Sequence, residues 1–197
     1  MNRRRPLPLV LPTELPRNDG IVLRPFQDGD VEMLRDLATD PYLPLIGSLP
    51  ANASRQQAAE FIRRQHQRLE TGAGYSFCVA DAATDDALGT AGLWLADLAE
   101  GRATAGYSVA PAARRRGVAG KALRTLTGFG WTIPELFRIE LYIEPWNTGS
   151  TRVAEAAGYL REGLLRSHQP IGGRRADMLL YAAVRPWEAA AKGPAMS

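Results

Sequence analysis

Residues 109–122 read Val-Ala-Pro-Ala-Ala-Arg-Arg-Arg-Gly-Val-Ala-Gly-Lys-Ala, and this stretch constrains the chain more than any other. A short apolar strand pattern over 107–109 runs into Pro111. Arg114, Arg115 and Arg116 follow, and a helical pattern then opens with Gly117, Ala119 and Gly120 in its first turn. Two local preferences are broken at one place. Cationic side chains oppose the macrodipole at a helix N-terminus, which favours anions. Glycine inside a helix costs about 1 kcal/mol relative to alanine. An anion seated on the helix start reconciles both. Free N–H groups and arginines hold it, and the glycines let it approach the backbone. The plainer reading is a basic surface turn ahead of an ordinary amphipathic helix.

Two common phosphate motifs fail. A P-loop needs a first glycine where Arg115 stands and a hydroxyl where Ala122 follows Lys121. A dinucleotide fingerprint also loses its first glycine to Arg115, although Gly117 and Gly120 match the other two. What remains is Arg114-x-x-Gly117-x-Ala119 between a strand and a helix. This resembles the pyrophosphate-binding motif of the GNAT superfamily of N-acetyltransferases, Gln/Arg-x-x-Gly-x-Gly/Ala, whose ligand is acetyl-CoA. A second region is similar to the RimJ/RimL-like branch of that superfamily. A strand is followed by Asn147-x-x-Ser150, a short helix, Gly158-Tyr159, and Glu162-Gly163-x-x-Arg166. Leu23-Arg24-Pro25-Phe26 with Asp30, and Gly172-Gly173-Arg174-Arg175 with Asp177, extend the likeness in collinear order from Ile21 to Trp187.

The chain has 197 residues, 45% hydrophobic and 23% charged, which suits one globular domain with a sizeable core. The division expected is a basic, proline-rich arm over 1–20, an acetyltransferase domain over 21–187 and a frayed tail over 188–197. Of the formal charge of +3, two units lie in the arm, where Arg3, Arg4, Arg5 and Arg17 outweigh Glu14 and Asp19. The near-neutral domain argues against a dedicated nucleic-acid binder. The arm packs on the domain or on a neighbouring subunit, or is disordered, which leaves a homodimer open. Its brief likeness to a signal peptide is broken by three prolines and no cleavage site. No run approaches ~18 consecutive apolar residues, so no membrane span is expected, and the location expected is cytoplasmic. The single cysteine, Cys78, excludes an internal disulfide and a thiolate metal cluster. His66 and His168 lack metal-ligand spacing, and no metal is expected.

The pattern predicts a mixed α/β architecture. Strands are expected over 21–26, 75–81, 87–98, 102–109, 136–144, 159–168 and 174–184. Helices are expected from Asp28 or Asp30 to Thr39, from the Ser54-x-x-Gln57 capping box to Glu70, after Gly117, and from Asn147 to Gly158. Residues 40–53, with Pro41, Pro44, Pro50 and Gly47, read as a loop. A helix between the strands at 102–109 and 136–144 suits a right-handed crossover between parallel strands. The resemblance adds the GNAT fold, a splayed central sheet of about six to seven strands flanked by helices.

The resemblance also implies a site. The thioester would lie between the strand ending at Val109 and the strand ending near Glu144. Backbone along Tyr107, Ser108 and Val109 would pair with pantetheine. The N–H groups of Arg116, Gly117, Val118, Ala119, Gly120 and Lys121 would take the pyrophosphate, with Arg114 and Arg115 adding charge. A backbone N–H near Val109 would polarise the carbonyl. Ser150 would protonate the leaving sulfur, or merely cap its helix. Asn147 would shape the turn and bind the pantetheine amide, and Arg152 is either a phosphate contact or a surface residue. An acid common in the family just before Gly106-Tyr107 is replaced by Thr104, and Lys121 stands where the branch often carries Glu. That leaves Glu140, Glu144, Glu162 or a relayed water as base. Glu140, Tyr142 and Glu144 share one strand face by period two. The amine would enter beside residues 40–53, with Tyr42, Trp94 and Trp146 near the cleft. The function implied is transfer of acetyl from acetyl-CoA to a primary amine, such as a protein N-terminal α-amino group, in a ternary complex. The alternative is a non-catalytic acyl-CoA-sensing or partner-binding protein on the same scaffold, which the absent acid at Thr104 keeps open.

Overall fold

The computed structural model describes residues 9–186. The start of the arm (1–8), Trp187 and the expected tail over 188–197 lie outside the described residues. Among the described residues, eight strands form one sheet in the order β1-β2-β3-β4-β5-β6-β8-β7. They are β1 (Arg17–Asn18), β2 (Ile21–Arg24), β3 (Gly74–Asp81), β4 (Ala87–Trp94), β5 (Arg102–Val109), β6 (Arg138–Ile143), β7 (Leu160–Ile171) and β8 (Arg174–Val184). Helices α1 (Val31–Leu37), α2 (Leu43–Ile46) and α3 (Arg55–Glu70) precede β3. Helix α4 (Val118–Gly130) links β5 to β6, and α5 (Thr148–Ala156) follows β6.

The count exceeds the sequence expectation by β1, a two-residue strand within the arm that pairs with β2. Residues 9–20 lie against the domain. The Leu9 N–H donates to the Leu69 carbonyl at 3.0 Å, the Leu23 N–H to Pro16 at 2.8 Å, and Leu9 and Leu11 pack on the core. The segment expected as loop, 40–53, contains the short α2, with Pro44 in its first turn, where a missing N–H costs nothing. Ser54 and Gln57 form the reciprocal capping box that starts α3.

One pairing is parallel and short. β5 meets β6 only at Arg102–Arg138, Ala103–Ile139 and Thr104–Glu140. Beyond that point β5 stays paired to β4 through Val109, while β6 pairs to β8 through Ile143. The sheet therefore forks after Thr104 and Glu140. Side chains alternate across the fork. Ala103, Ala105, Ile139, Leu141 and Ile143 point into the core that Leu123 and Leu126 of α4 and Ala154 of α5 help build. Glu140 and Gly106 belong to the opposite face, which α1, α2 and α3 cover with a second apolar cluster around Leu34, Leu37, Leu49 and Ile62. The fork thus leaves one edge of β5 without a neighbouring strand beyond Thr104.

Candidate active site

The helix that crosses from β5 to β6 begins beside the fork. Its N-cap, Gly117, has φ +73°, and Arg115 has φ +60°, so the turn winds through two left-handed residues. A side chain at Gly117 would meet nothing within 4 Å, and one at Gly120 would meet only the Arg124 side chain at 3.5 Å. The N–H groups of Val118, Ala119 and Gly120 find no acceptor within the helix, whereas the Lys121 N–H, expected among the phosphate donors, is already given to the Gly117 carbonyl at 3.2 Å. Arg115, Arg116 and Gly117 are exposed around them. Arg116, Val118 and Lys121 also border a surface hollow shared with residues 19–21 and 81–83. The arrangement suits a phosphate anion.

Arg114 is placed differently from its two neighbours. Its Nε donates to the Val109 carbonyl at 3.1 Å and its guanidinium pairs with Asp40. It holds the turn to the segment that follows α1 rather than standing free beside the helix start.

On the α4/α5 face of the fork, Tyr107 and Ser150 come together. The Tyr107 hydroxyl is buried and no described group completes a hydrogen bond to it. Burial raises its pKa, and the adjacent Ser150 side chain works against that rise. Asn147 caps α5 through its side-chain oxygen, which accepts the Ser150 N–H at 3.0 Å. The cap uses the backbone of Ser150 and leaves its hydroxyl for other work. Tyr159 is buried against the same helices, its hydroxyl 2.8 Å from Thr127 Oγ1. A buried hydroxyl without a partner beside an open strand edge is the kind of gap that a bound polar ligand fills. Together with the open helix start, it makes these residues fit acetyl-CoA. The Ala110 N–H is already given to Leu88 at 3.0 Å, which removes it from the donors available to a thioester carbonyl.

The structure separates the three candidate carboxylates. Glu140 lies at the apex of the fork, nearly buried, and accepts from Arg138 Nε and the Tyr142 hydroxyl, each at 2.6 Å. Burial alone would raise its pKa, but those two donors outweigh it and hold the carboxyl below the usual range. Glu162 shares Arg138 and is likewise held low. Glu144 sits at the mouth of the fork, where the Tyr42 hydroxyl donates to it at 2.5 Å. Burial, then Glu144 itself, pushes the Tyr42 phenol upward, so it stays protonated. Trp146 packs edge-on against Tyr42 with ring centroids 5.0 Å apart. His168 stacks on Tyr142 at 4.7 Å, a long-range contact that no local pattern foretells.

The α1–α3 face carries a cavity of about 190 Å³. Leu43 and Ile46 of α2 roof it, Phe61, Gln65 and Arg68 of α3 form one side, and Gly106 and Ser108 bring it to the fork. Sequence reasoning named Trp94 but missed Arg68. The signal was present, since Phe61, Gln65 and Arg68 recur at helical spacing on one face of α3. Among the described residues no group of three His, Cys, Asp or Glu side chains is arranged to hold a metal ion, and no helix is long and apolar enough to cross a membrane.

Comparison with known proteins is consistent with this geometry. Residues 21–160 match the family model described as an acetyltransferase (GNAT) domain. The chain is 27% identical over 167 residues to the uncharacterised N-acetyltransferase p20 of Bacillus licheniformis, covering 85% of this chain and 94% of that protein. It is 32% identical over 126 residues to the probable N-acetyltransferase YjcK of Bacillus subtilis, covering 64% and 70%. Among solved structures it resembles RimL, a ribosomal L7/L12 α-N-protein acetyltransferase in complex with coenzyme A. The TM-score is 0.73 at 16% identity, over 87% of this chain and 98% of that one. It also resembles a Vibrio cholerae spermidine N-acetyltransferase in complex with CoA and spermine. There the TM-score is 0.69 at 21% identity, over 85% and 96%.

Proposed function

We propose, from the premise that this chain belongs to the GNAT family and is an acetyl-CoA-dependent N-acetyltransferase, that it acetylates a primary α-amine by direct transfer in a ternary complex. The forked sheet carries this reading, because it leaves an edge of β5 open beside the acceptor cavity. Acetyl-CoA supplies the activated acetyl group. The N–H groups from Arg116 to Gly120, with the Arg115, Arg116 and Lys121 side chains, take its pyrophosphate. The open edge of β5 from Tyr107 to Val109, with Asn147, takes its pantetheine arm. Ser150, beside the unpartnered Tyr107 hydroxyl, delivers a proton to the departing sulfur.

Glu144 receives the proton of the amine, directly or through water. It stands at the mouth of the fork and its one described partner is a neutral phenol. Glu140 is held ionised by Arg138 and Tyr142 and serves to fix the apex where the strands part. An α-amine is favoured over a polyamine because the acceptor cavity has no Asp or Glu in its wall. A protein N-terminus, as in the RimJ/RimL-like branch, is one member of that acceptor class, and a cytoplasmic setting belongs to the same reading.

Calorimetric titration with acetyl-CoA, CoA and ATP in parallel tests the cofactor assignment. Acetyl-CoA is expected to bind and ATP to remain silent. Gly117→Glu is expected to abolish acetyl-CoA binding by placing charge at the helix start. Failure of both coenzymes to bind the native chain would overturn the reading.

A further inference from the structure

The acceptor cavity has a composition that selects its occupant. Its volume of about 190 Å³ compares with the roughly 150 Å³ apolar cavity that accommodates a benzene ring. Glycine in its floor makes room for the Trp94 ring. A Cβ at Gly106 would lie 2.9 Å from the Trp94 ring, and one at Gly92 would lie 3.3 Å from it. The Trp94 indole therefore lies across the sheet at both positions.

Two polar side chains of the wall, Ser76 and Gln65, are tied to each other. Ser76 donates to Gln65 Oε1 at 2.9 Å, and Gln65 Nε2 donates to the Phe61 carbonyl at 3.2 Å. Arg68 carries the charge in that wall. Its guanidinium lies 5.2 Å above the Trp94 ring, half-buried, and pairs with no carboxylate among the described residues. Burial lowers its pKa with no acid to counter the effect. A guanidinium offers five donors in a fork suited to a carboxylate, and a partly desolvated one gains most from such a partner. A polycation would meet this charge and find no acid to hold it.

We propose that the acceptor is a free amino acid with a neutral, apolar side chain, which occupies the cavity while its carboxylate pairs with Arg68 and its amine faces the fork. This inference rests on the acetyltransferase reading above. In the reaction the amine nitrogen bonds to the acetyl carbon as the thioester C–S bond breaks. The sulfur leaves as the thiol after taking a proton, the nitrogen gives up its surplus protons, and the products are the N-acetyl amino acid and CoA. Leu43 and Ile46 line the cavity and bound the space open to the acceptor's side chain.

The test is thiol release by the full chain with acetyl-CoA and leucine, methionine or phenylalanine. Leucinamide, isoamylamine, a leucine-initiated peptide and spermidine are run beside them. The free amino acids are expected to exceed their amides and the parent amines in kcat/KM by roughly tenfold to a hundredfold, the size of one charge-assisted hydrogen bond. Arg68→Gln is expected to collapse that ratio through the KM of the amino acid, and Arg68→Lys to retain part of it. The comparison of acid with amide on the native chain stands even where a variant fails to fold. If acetyl-CoA binds but spermidine, the peptide or the amide is used as well as or better than the amino acid, or no amino acid is acetylated, the inference is overturned and the cofactor assignment is kept. If acetyl-CoA does not bind, both fall.

Discussion

Arg114, in the turn that leads to the helix start, pairs with Asp40, at the root of the segment that roofs the acceptor cavity. A second tie runs alongside it, from the Ala112 N–H to Asp36 Oδ2 at 3.1 Å. The regions assigned to the two substrates are thus joined by side chains that neither substrate need touch. Burial pushes the Asp40 pKa up, but Arg114 and the backbone N–H groups of Tyr42 and Leu43 prevail and hold the carboxyl below its ordinary range.

Asp40→Asn separates the two regions. The pair is partly exposed, so the expected loss is small, roughly two- to fivefold in KM for the amine. Affinity for acetyl-CoA is expected to hold or rise, because Arg114 is released toward the phosphates. Initial rates with each substrate varied in turn measure both. A loss confined to acetyl-CoA would contradict the coupling.

Tyr107→Phe separates stability from binding. The native hydroxyl is buried without a described partner, and such a group costs about 1–3 kcal/mol. Removing it is expected to leave the melting temperature of the free protein unchanged or raised. The further rise produced by saturating acetyl-CoA is expected to shrink, because the ligand loses the hydroxyl it would satisfy. Melting curves with and without acetyl-CoA decide this. An undiminished ligand shift would make Tyr107 a packing residue only.

The two-faced sheet and the helix start were legible because local chemistry dictates them. Gly117 and the three arginines break helix preferences in a way that only a few structures permit, and Asn147, Ser54 and Gln57 cap helices by short-range rules. What escaped the sequence was long-range. Arg114 reads as a third phosphate ligand until Asp40, 74 residues away, is placed beside it. Glu140 and Glu144 look equivalent by period two until β5 is seen to leave β6 at Glu140, which puts Arg138 on one and Tyr42 on the other. Arg68 lies on a charged helix, and its meeting with Trp94 depends on Gly92 in that tryptophan's own strand and Gly106 in the next.

Asp30 ties the first helix to the sheet and sets an acid limit on stability. Arg24 reaches both of its oxygens at 2.8 Å, and both side chains are almost fully buried. Burial raises the Asp30 pKa, but Arg24 and the Gln27 N–H outweigh it, so the folded value lies below the ordinary 3.8. A depressed carboxylate contributes stability that is fully present above its unfolded pKa. That contribution is lost as pH falls through the folded value. Urea midpoints are therefore expected to hold from pH 7 down to about 5 and then to fall steeply below about 4. Asp30→Ala leaves Arg24 buried with the exposed Asp85 as its one carboxylate beside the Pro25 and Asp85 carbonyls, and is expected to cost about 3–5 kcal/mol at neutral pH. The variant is also expected to show a flatter acid limb, and an unchanged limb would mean that other carboxylates govern acid unfolding.

Ser150 is expected to separate turnover from binding. Its N–H is committed to Asn147, so Ser150→Ala keeps the cap of α5 and should not change the melting temperature. Acetyl-CoA affinity is expected to stay within about twofold, since less than ~0.5 kcal/mol is at stake on a surface away from the phosphates. Turnover is expected to fall roughly 10²-fold, the lower range for removing a positioned proton donor. The neighbouring Tyr107 hydroxyl supplies the sharper measurement. If the two hydroxyls deliver one proton together, the double variant Ser150→Ala/Tyr107→Phe will be little slower than the worse single variant, because groups acting as a unit are not additive. Multiplying losses would instead assign them separate duties, with Tyr107 binding and Ser150 donating. Full activity in Ser150→Ala would remove Ser150 from the chemistry and leave its backbone cap as its whole role.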